Sequence, residues 1–77
     1  MTQATKLAAE ASSPDPVVGL RAVAALRELL ERLEALNVDN ARAKGWSWQQ
    51  IADVLGVSRQ AVHKKHAAGR LLRRRER

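Results

Sequence analysis

A short stretch of the chain is rich in side chains that can form hydrogen bonds: residues 58–65, Ser-Arg-Gln-Ala-Val-His-Lys-Lys. Arginine can pair with guanine, and glutamine with adenine, through two parallel hydrogen bonds. If the stretch is a helix with Val62 facing inward, the outward positions are Ser58, Arg59, Gln60, His63 and Lys64. This set of side chains is suited to contacting the edges of DNA bases.

The basic side chains are unevenly distributed along the chain. The protein has 77 residues and a formal net charge of +6. Residues 1–38 carry four basic and five acidic side chains, a net of −1, whereas residues 39–77 carry ten and three, a net of +7. Such asymmetry favours a C-terminal half that binds a polyanion and an N-terminal half with a different role.

Two short helices separated by a glycine are predicted to hold the polar stretch. Ser47 and Gln50 form a capping-box pattern at the start of a helix from Trp48 to about Leu55. Gly56-Val57 makes the turn, and Ser58 caps a second helix from Arg59 to about Ala68. Gly69 is placed to end that second helix.

The apolar residues of this region have the spacing of a helix-turn-helix. Ala52 is small where the second helix must cross closely, and Gly56 permits the unusual backbone of the turn. Four residues are predicted to face inward and hold the helices together: Ile51, Leu55, Val57 and Val62. Together these features predict a helix-turn-helix over Trp48–Ala67.

Two stretches resemble known DNA-binding families. The first resembles region 4 of extracytoplasmic-function sigma factors and reads G-W-S-W-Q-Q-I-A-D-V-L-G-V-S. The second is similar to the recognition helices of factor-for-inversion-stimulation proteins and invertases and reads S-R-Q-A-V-H-K-K-H. The resemblance covers about 25 residues and implies a trihelical, DNA-binding fold of a small bacterial regulator. Lys65 and His66 depart from it, because many such families have an apolar residue there. We expect Leu71 or Leu72 to close the core instead.

The recognition helix of this motif enters the major groove with its N-terminal part. The predicted base contacts are Ser58, Arg59, Gln60 and His63. The predicted phosphate contacts, which position the protein without reading sequence, are Ser47, Gln49, Lys64, Lys65, Arg70, Arg73, Arg74 and Arg75. The arginine tail, residues 70–77, either extends the last helix or hangs free. We interpret it as a solvated electrostatic arm, with ordered insertion into a groove as the alternative.

A long leucine-rich helix is predicted over residues 15–44, beginning at Asp15-Pro16 and ending at Gly45. The weak helix formers of Asn37–Asn40 leave open whether it is one helix or two. Its apolar stripe predicts a homodimer interface of Leu20, Val23, Leu26, Leu29, Leu30 and Leu33. The alternative is that the helix folds back on its own domain. A dimer would place two recognition helices about 34–36 Å apart, one turn of DNA.

The sequence as a whole predicts an all-α fold without a β-wing. Its four segments are a disordered or frayed arm over residues 1–14, the long helix over 15–44, the helix-turn-helix over 46–69 and the tail over 70–77. Trp48 is expected in the core. Trp46 either covers the long helix or contacts a partner. Structural roles are preferred over a pH switch for His63 and His66.

Several function classes are excluded by residues that the sequence lacks. There is no cysteine, and two histidines without an acidic cluster do not make a metal site. No nucleophile–base pair or phosphate-binding loop indicates an enzyme, and we expect no cofactor or small-molecule ligand. Without an export signal or an apolar span, we expect a cytoplasmic protein associated with the nucleoid and not with a membrane.

Three functional hypotheses follow. The first is a sequence-specific transcription regulator that binds double-stranded DNA. The second is a nucleoid-associated architectural protein that binds widely through backbone contacts. The third is a protein–protein adaptor that docks through its leucine-rich helix. Arg59 and Gln60 favour the first, because their chemistry reads bases and does not merely add charge.

Overall fold

The computed structural model describes the backbone of residues 2–75 and the side chains of residues 2–68. It contains four helices: α1 (Gln3–Ala11), α2 (Pro16–Ala43), α3 (Trp48–Leu55) and α4 (Arg59–Arg75). Residues 2–75 contain no strand, and the predicted all-α class is confirmed. The chain divides into two compact units, Met1–Leu33 and Glu34–Arg77.

Helix α1 lies in the N-terminal arm, residues 1–14, for which the sequence predicted either disorder or a frayed helix. Thr2 caps this helix, since its hydroxyl accepts a hydrogen bond from the backbone N–H of Thr5 at 3.2 Å. At the other end, the N–H of Ser13 donates to the carbonyl of Glu10 at 3.0 Å. None of the α1 residues is buried. The helix therefore depends on its alanine content and its caps, both of which are local properties of the sequence.

Helix α2 is continuous through Asn37–Asn40, which answers the question of one helix or two. At its start the Asp15 carboxylate accepts a bond from the N–H of Val17 at 2.9 Å. Val38, only 3% exposed, lies in the middle of the weak helix formers. Its burial stabilises the helix where intrinsic propensity is low. Among the described residues, no helix is both long and apolar enough to cross a membrane.

The unit Met1–Leu33 buries small residues and leaves large ones exposed. Gly19 and Ala22 are buried. A Cβ added at Gly19 would lie 3.5 Å from the carbonyl oxygens of Ala11 and Ser13, so the end of α1 packs closely here. Of the predicted interface residues, Leu26 and Leu29 are half-buried. The other four are exposed: Leu20 by 69%, Val23 by 41%, Leu30 by 63% and Leu33 by 46%.

The unit Glu34–Arg77 has a compact apolar core. Its buried members are Val38 from α2, Ile51 and Ala52 from α3 and Val62 from α4, with Ala41 and Trp48 packed against them. Ala52 is 0% exposed, as expected for the small residue of the helix-turn-helix. The inward prediction was wrong for Leu55 and Val57, which are 40% and 48% exposed. They flank the Gly56 turn, at the margin of a core that is only a few residues wide.

Helix α4 does not end at Gly69, where the sequence placed a terminator, but continues to Arg75. Residues 70–75 therefore extend the last helix, which is one of the two arrangements that the sequence left open. A single glycine inside a helix costs about 1 kcal/mol relative to alanine. Good helix formers lie on both sides of Gly69, from Ala67 and Ala68 to Leu71 and Leu72. They offset that cost. The prediction that Leu71 or Leu72 closes the core lies outside the described side chains.

Candidate nucleic-acid interface

The start of α3 is held by a reciprocal pair of hydrogen bonds. The Ser47 hydroxyl accepts from the backbone N–H of Gln50 at 3.1 Å, and the Gln50 side-chain oxygen accepts from the N–H of Ser47 at 2.8 Å. This is the capping box that the sequence predicted. It satisfies two backbone donors and so determines where α3 begins, directly before the core residues Ile51 and Ala52.

The turn between α3 and α4 depends on glycine. Gly56 has φ +74° and ψ +29°, a left-handed conformation that side-chain-bearing residues rarely adopt. The carbonyl of Ala52 accepts from the N–H groups of both Gly56, at 2.8 Å, and Val57, at 3.1 Å. Ser58 follows the turn and caps α4, because its hydroxyl accepts from the N–H of Ala61 at 3.1 Å.

The exposure pattern of α4 separates an inner face from an outer one. Val62 and His66, one helical turn apart, are buried. The predicted base-contacting residues Ser58, Arg59, Gln60 and His63 are all exposed, as are Lys64 and Lys65. The N-terminal half of α4 therefore presents polar side chains outward while an apolar side chain anchors it to the core.

The predicted phosphate contacts are more dispersed. Ser47 and Gln49 are exposed at the start of α3, where the Gln49 amide donates to Asp53 at 2.8 Å. Lys65 lies 3.0 Å from the Glu34 carboxylate, so its charge is partly engaged within the protein. The side chains of the four tail arginines, Arg70, Arg73, Arg74 and Arg75, lie outside the described residues.

A buried polar contact, which sequence reasoning missed, connects α2 to α4. His66 is 4% exposed, and its Nε2 donates to the Glu34 carboxylate at 2.7 Å. Burial alone would raise the pKa of Glu34, but hydrogen bonds from Lys65 and His66 outweigh it and lower the pKa. His66 thus occupies a position at which the sequence resemblance had led us to expect an apolar residue. The departure from the expected pattern at this position was the available signal.

Trp48 lies between charged and aromatic neighbours from the other two helices. The guanidinium carbon of Arg42 is 4.8 Å from the Trp48 ring centroid, and Arg42 Nη1 donates to the carbonyl of Trp46 at 2.7 Å. The rings of Trp48 and His63 meet edge to face, with centroids 5.1 Å apart. Trp48 packs on the core as predicted, whereas Trp46 is 39% exposed.

The described residues contain no group of three histidine or acidic side chains placed to hold a metal ion. The arrangement of α3, a glycine turn and α4 around a core completed by α2 is instead that of a helix-turn-helix DNA-binding domain.

The family comparison agrees with this geometry. The profile of the homeodomain-like domain matches residues 26–71, more than half of the chain. The chain therefore belongs to the homeodomain-like helix-turn-helix family, whose members are typically non-enzymatic. The matched region includes the second part of α2, all of α3 and most of α4. No significant match was found among curated proteins or among solved structures.

Proposed function

We propose that this protein is a sequence-specific transcription regulator that inserts the N-terminal half of α4 into the major groove. The supporting observation is the exposed surface of that helix, where Arg59, Gln60 and His63 are all exposed while Val62 anchors the helix to the core. Arginine and glutamine are the side chains best suited to bidentate contact with guanine and adenine.

Selection from a random duplex library with the full chain tests this proposal. A regulator should prefer its selected site over random DNA by about 10³-fold or more. Arg59→Ala should cost about 1–3 kcal/mol of binding free energy and relax one base position. Lys64→Ala is the matched control, because loss of a phosphate contact should weaken binding to all sequences alike. An equal loss on all sequences for Arg59→Ala would contradict base reading by this residue.

The architectural alternative draws support from α4 itself. The helix continues into the Arg-rich segment and ends at Arg75, so its basic residues extend beyond the motif. Binding dominated by such charges would depend steeply on salt and discriminate little between sequences. The library selection separates the two functions, because an architectural protein would enrich no consensus. A chain that ignored DNA at low salt would instead support the adaptor hypothesis.

We also propose that the regulator acts as a homodimer through α2. Leu20 and Leu30 each leave about two-thirds of their surface exposed, and Val23 and Leu33 are also exposed. A second copy of the same stripe is the complementary surface that a symmetric dimer supplies. One recognition helix offers few base contacts, and a pair would double them. Light scattering at high micromolar concentration tests this, with a monomeric mass contradicting the proposal.

A further inference from the structure

Three residues from three helices form a continuous stack, which we name the Arg42 stack: Arg42 at the end of α2, Trp48 at the start of α3 and His63 in α4. Arg42 lies over the Trp48 ring at 4.8 Å. The ring planes of Trp48 and His63 are 86° apart, an edge-to-face arrangement at 5.1 Å. All three residues belong to the unit Glu34–Arg77.

Each end of the stack is restrained differently. Arg42 is tethered through its bond to the Trp46 carbonyl, and its Nε is buried without a hydrogen-bond partner. An unsatisfied buried donor is unfavourable, so the stacking and the carbonyl bond must offset that cost. His63, in contrast, is exposed on the outer face of α4 and is held laterally by the Trp48 ring.

This arrangement has a consequence for recognition. An exposed imidazole without neighbours samples several rotamers, and binding DNA would require it to settle into one. An edge-to-face contact with a ring that is itself packed on the core favours one orientation before DNA arrives. A side chain that is already ordered discriminates better between bases, because its hydrogen-bonding atoms fit only the correct base. A mobile side chain can shift and bond the wrong base almost as well as the correct one.

We propose that Trp48 is a positioning residue for specificity, which holds the His63 imidazole in the orientation that contacts one base pair, with Arg42 supporting the Trp48 ring. The proposal rests on the proposed function, since it requires His63 to face bases. In the proposed arrangement, Trp48 itself does not touch DNA. Its effect on binding is confined to the single position that His63 reads.

The first test needs no DNA. Trp48→Leu is compared with Trp46→Leu, which removes an exposed tryptophan outside the stack. NMR of the imidazole protons reports both histidines separately. We expect the His63 signals to move in Trp48→Leu, because the ring current of Trp48 is lost, and the signals of buried His66 to persist as a measure of an intact fold. Unchanged His63 signals in folded Trp48→Leu overturn the proposal.

The second test measures discrimination at each base pair of the selected site. Trp48→Leu should lower discrimination at one position on the order of tenfold, the same position that His63→Ala relaxes. The double variant should lose nothing further there. Trp48→Phe, which keeps an aromatic ring, should retain most of the discrimination. A uniform loss across all positions, or no loss, overturns the proposal.

If Trp48→Leu fails to fold, Arg42→Gln tests the positioning role of Trp48 instead. It removes the cation over the ring and should lower discrimination severalfold at the His63 position alone. No change at that position overturns the proposal. A native chain that selects no preferred sequence overturns the proposed function and this inference together. Clear selection by the native chain, with Trp48 variants behaving like Trp46→Leu, overturns only the inference.

Discussion

Helix α2 passes through both units of the chain, and its two parts differ in what they bury. Up to Leu33, the buried residues are small, Gly19 and Ala22, and large apolar side chains such as Leu20 and Leu30 are exposed. From Glu34 onward, Val38 joins a core supplied by α3 and α4. The apolar periodicity continues along the helix. Burial therefore depends on whether other elements of the chain cover the stripe, and not on the stripe itself.

The charged residues of α2 repeat this contrast. In the first part, Arg32 bonds Glu28 at 3.2 Å with both side chains more than 70% exposed. In the second part, the Glu34 carboxylate contacts two side chains from α4, the buried His66 and the partly exposed Lys65. The first pair contributes little because water competes for both charges. The second contact satisfies a buried donor, whose loss would be more costly.

The largest expected effect comes from removing a core side chain of the second unit. Ile51→Ala should lower the free energy of unfolding by about 2–5 kcal/mol, because it leaves a cavity in a core of few residues. Urea denaturation followed by circular dichroism measures the change. In a domain this small, such a loss is a large part of the total stability.

Leu30→Ala in the first unit is the matched control for Ile51→Ala. Since Leu30 is 63% exposed, truncation should change the stability of the single chain by no more than about 0.5 kcal/mol. In a dimer, the same variant should lower only the part of stability that rises with protein concentration. A large loss for Leu30→Ala at high dilution would mean that the first unit buries its stripe within one chain.

The next largest effect concerns the two glutamates. Glu34→Ala should cost about 1–3 kcal/mol, because buried His66 loses its acceptor. Glu28→Ala removes an exposed i,i+4 pair and should cost at most about 0.5 kcal/mol. Equal losses for the two variants would show that the His66 contact is no more valuable than a surface pair.

The smallest expected effect is a pH dependence of stability that comes from Glu34. The pKa of Glu34 in the folded protein lies below its ordinary value of 4.5, so its stabilising contribution is complete above that value and is lost as pH falls through the lowered pKa. Lys65 and His66 are the groups that face the carboxylate. Urea denaturation at a series of pH values, from neutral to about pH 3, measures the free energy of unfolding. That free energy should fall less steeply with decreasing pH in Glu34→Gln than in the native chain. Glu28→Gln should keep the native slope, and a native slope in Glu34→Gln would contradict this prediction.

Much of the second unit could be predicted because its signals are local. Ser47 with Gln50, Gly56 and Ser58 each act on backbone groups within four residues, and all appear as expected. The misplaced end of α4 at Gly69 shows the limit of this reasoning. A glycine is a weak terminator when the neighbouring residues favour the helix, because they offset its cost of about 1 kcal/mol.

The sequence by itself determined that the protein is all-helical, that α3 and α4 form a helix-turn-helix, and that Arg59, Gln60 and His63 are exposed on α4 while Val62 faces inward. These properties follow from caps, a left-handed glycine and a period of 3.6 residues. Only the tertiary structure decided that Glu34 bonds His66 across 32 positions of chain and that Trp48 contacts both Arg42 and His63. Such contacts depend on how separate helices pack, and a side chain's type does not specify its distant partner.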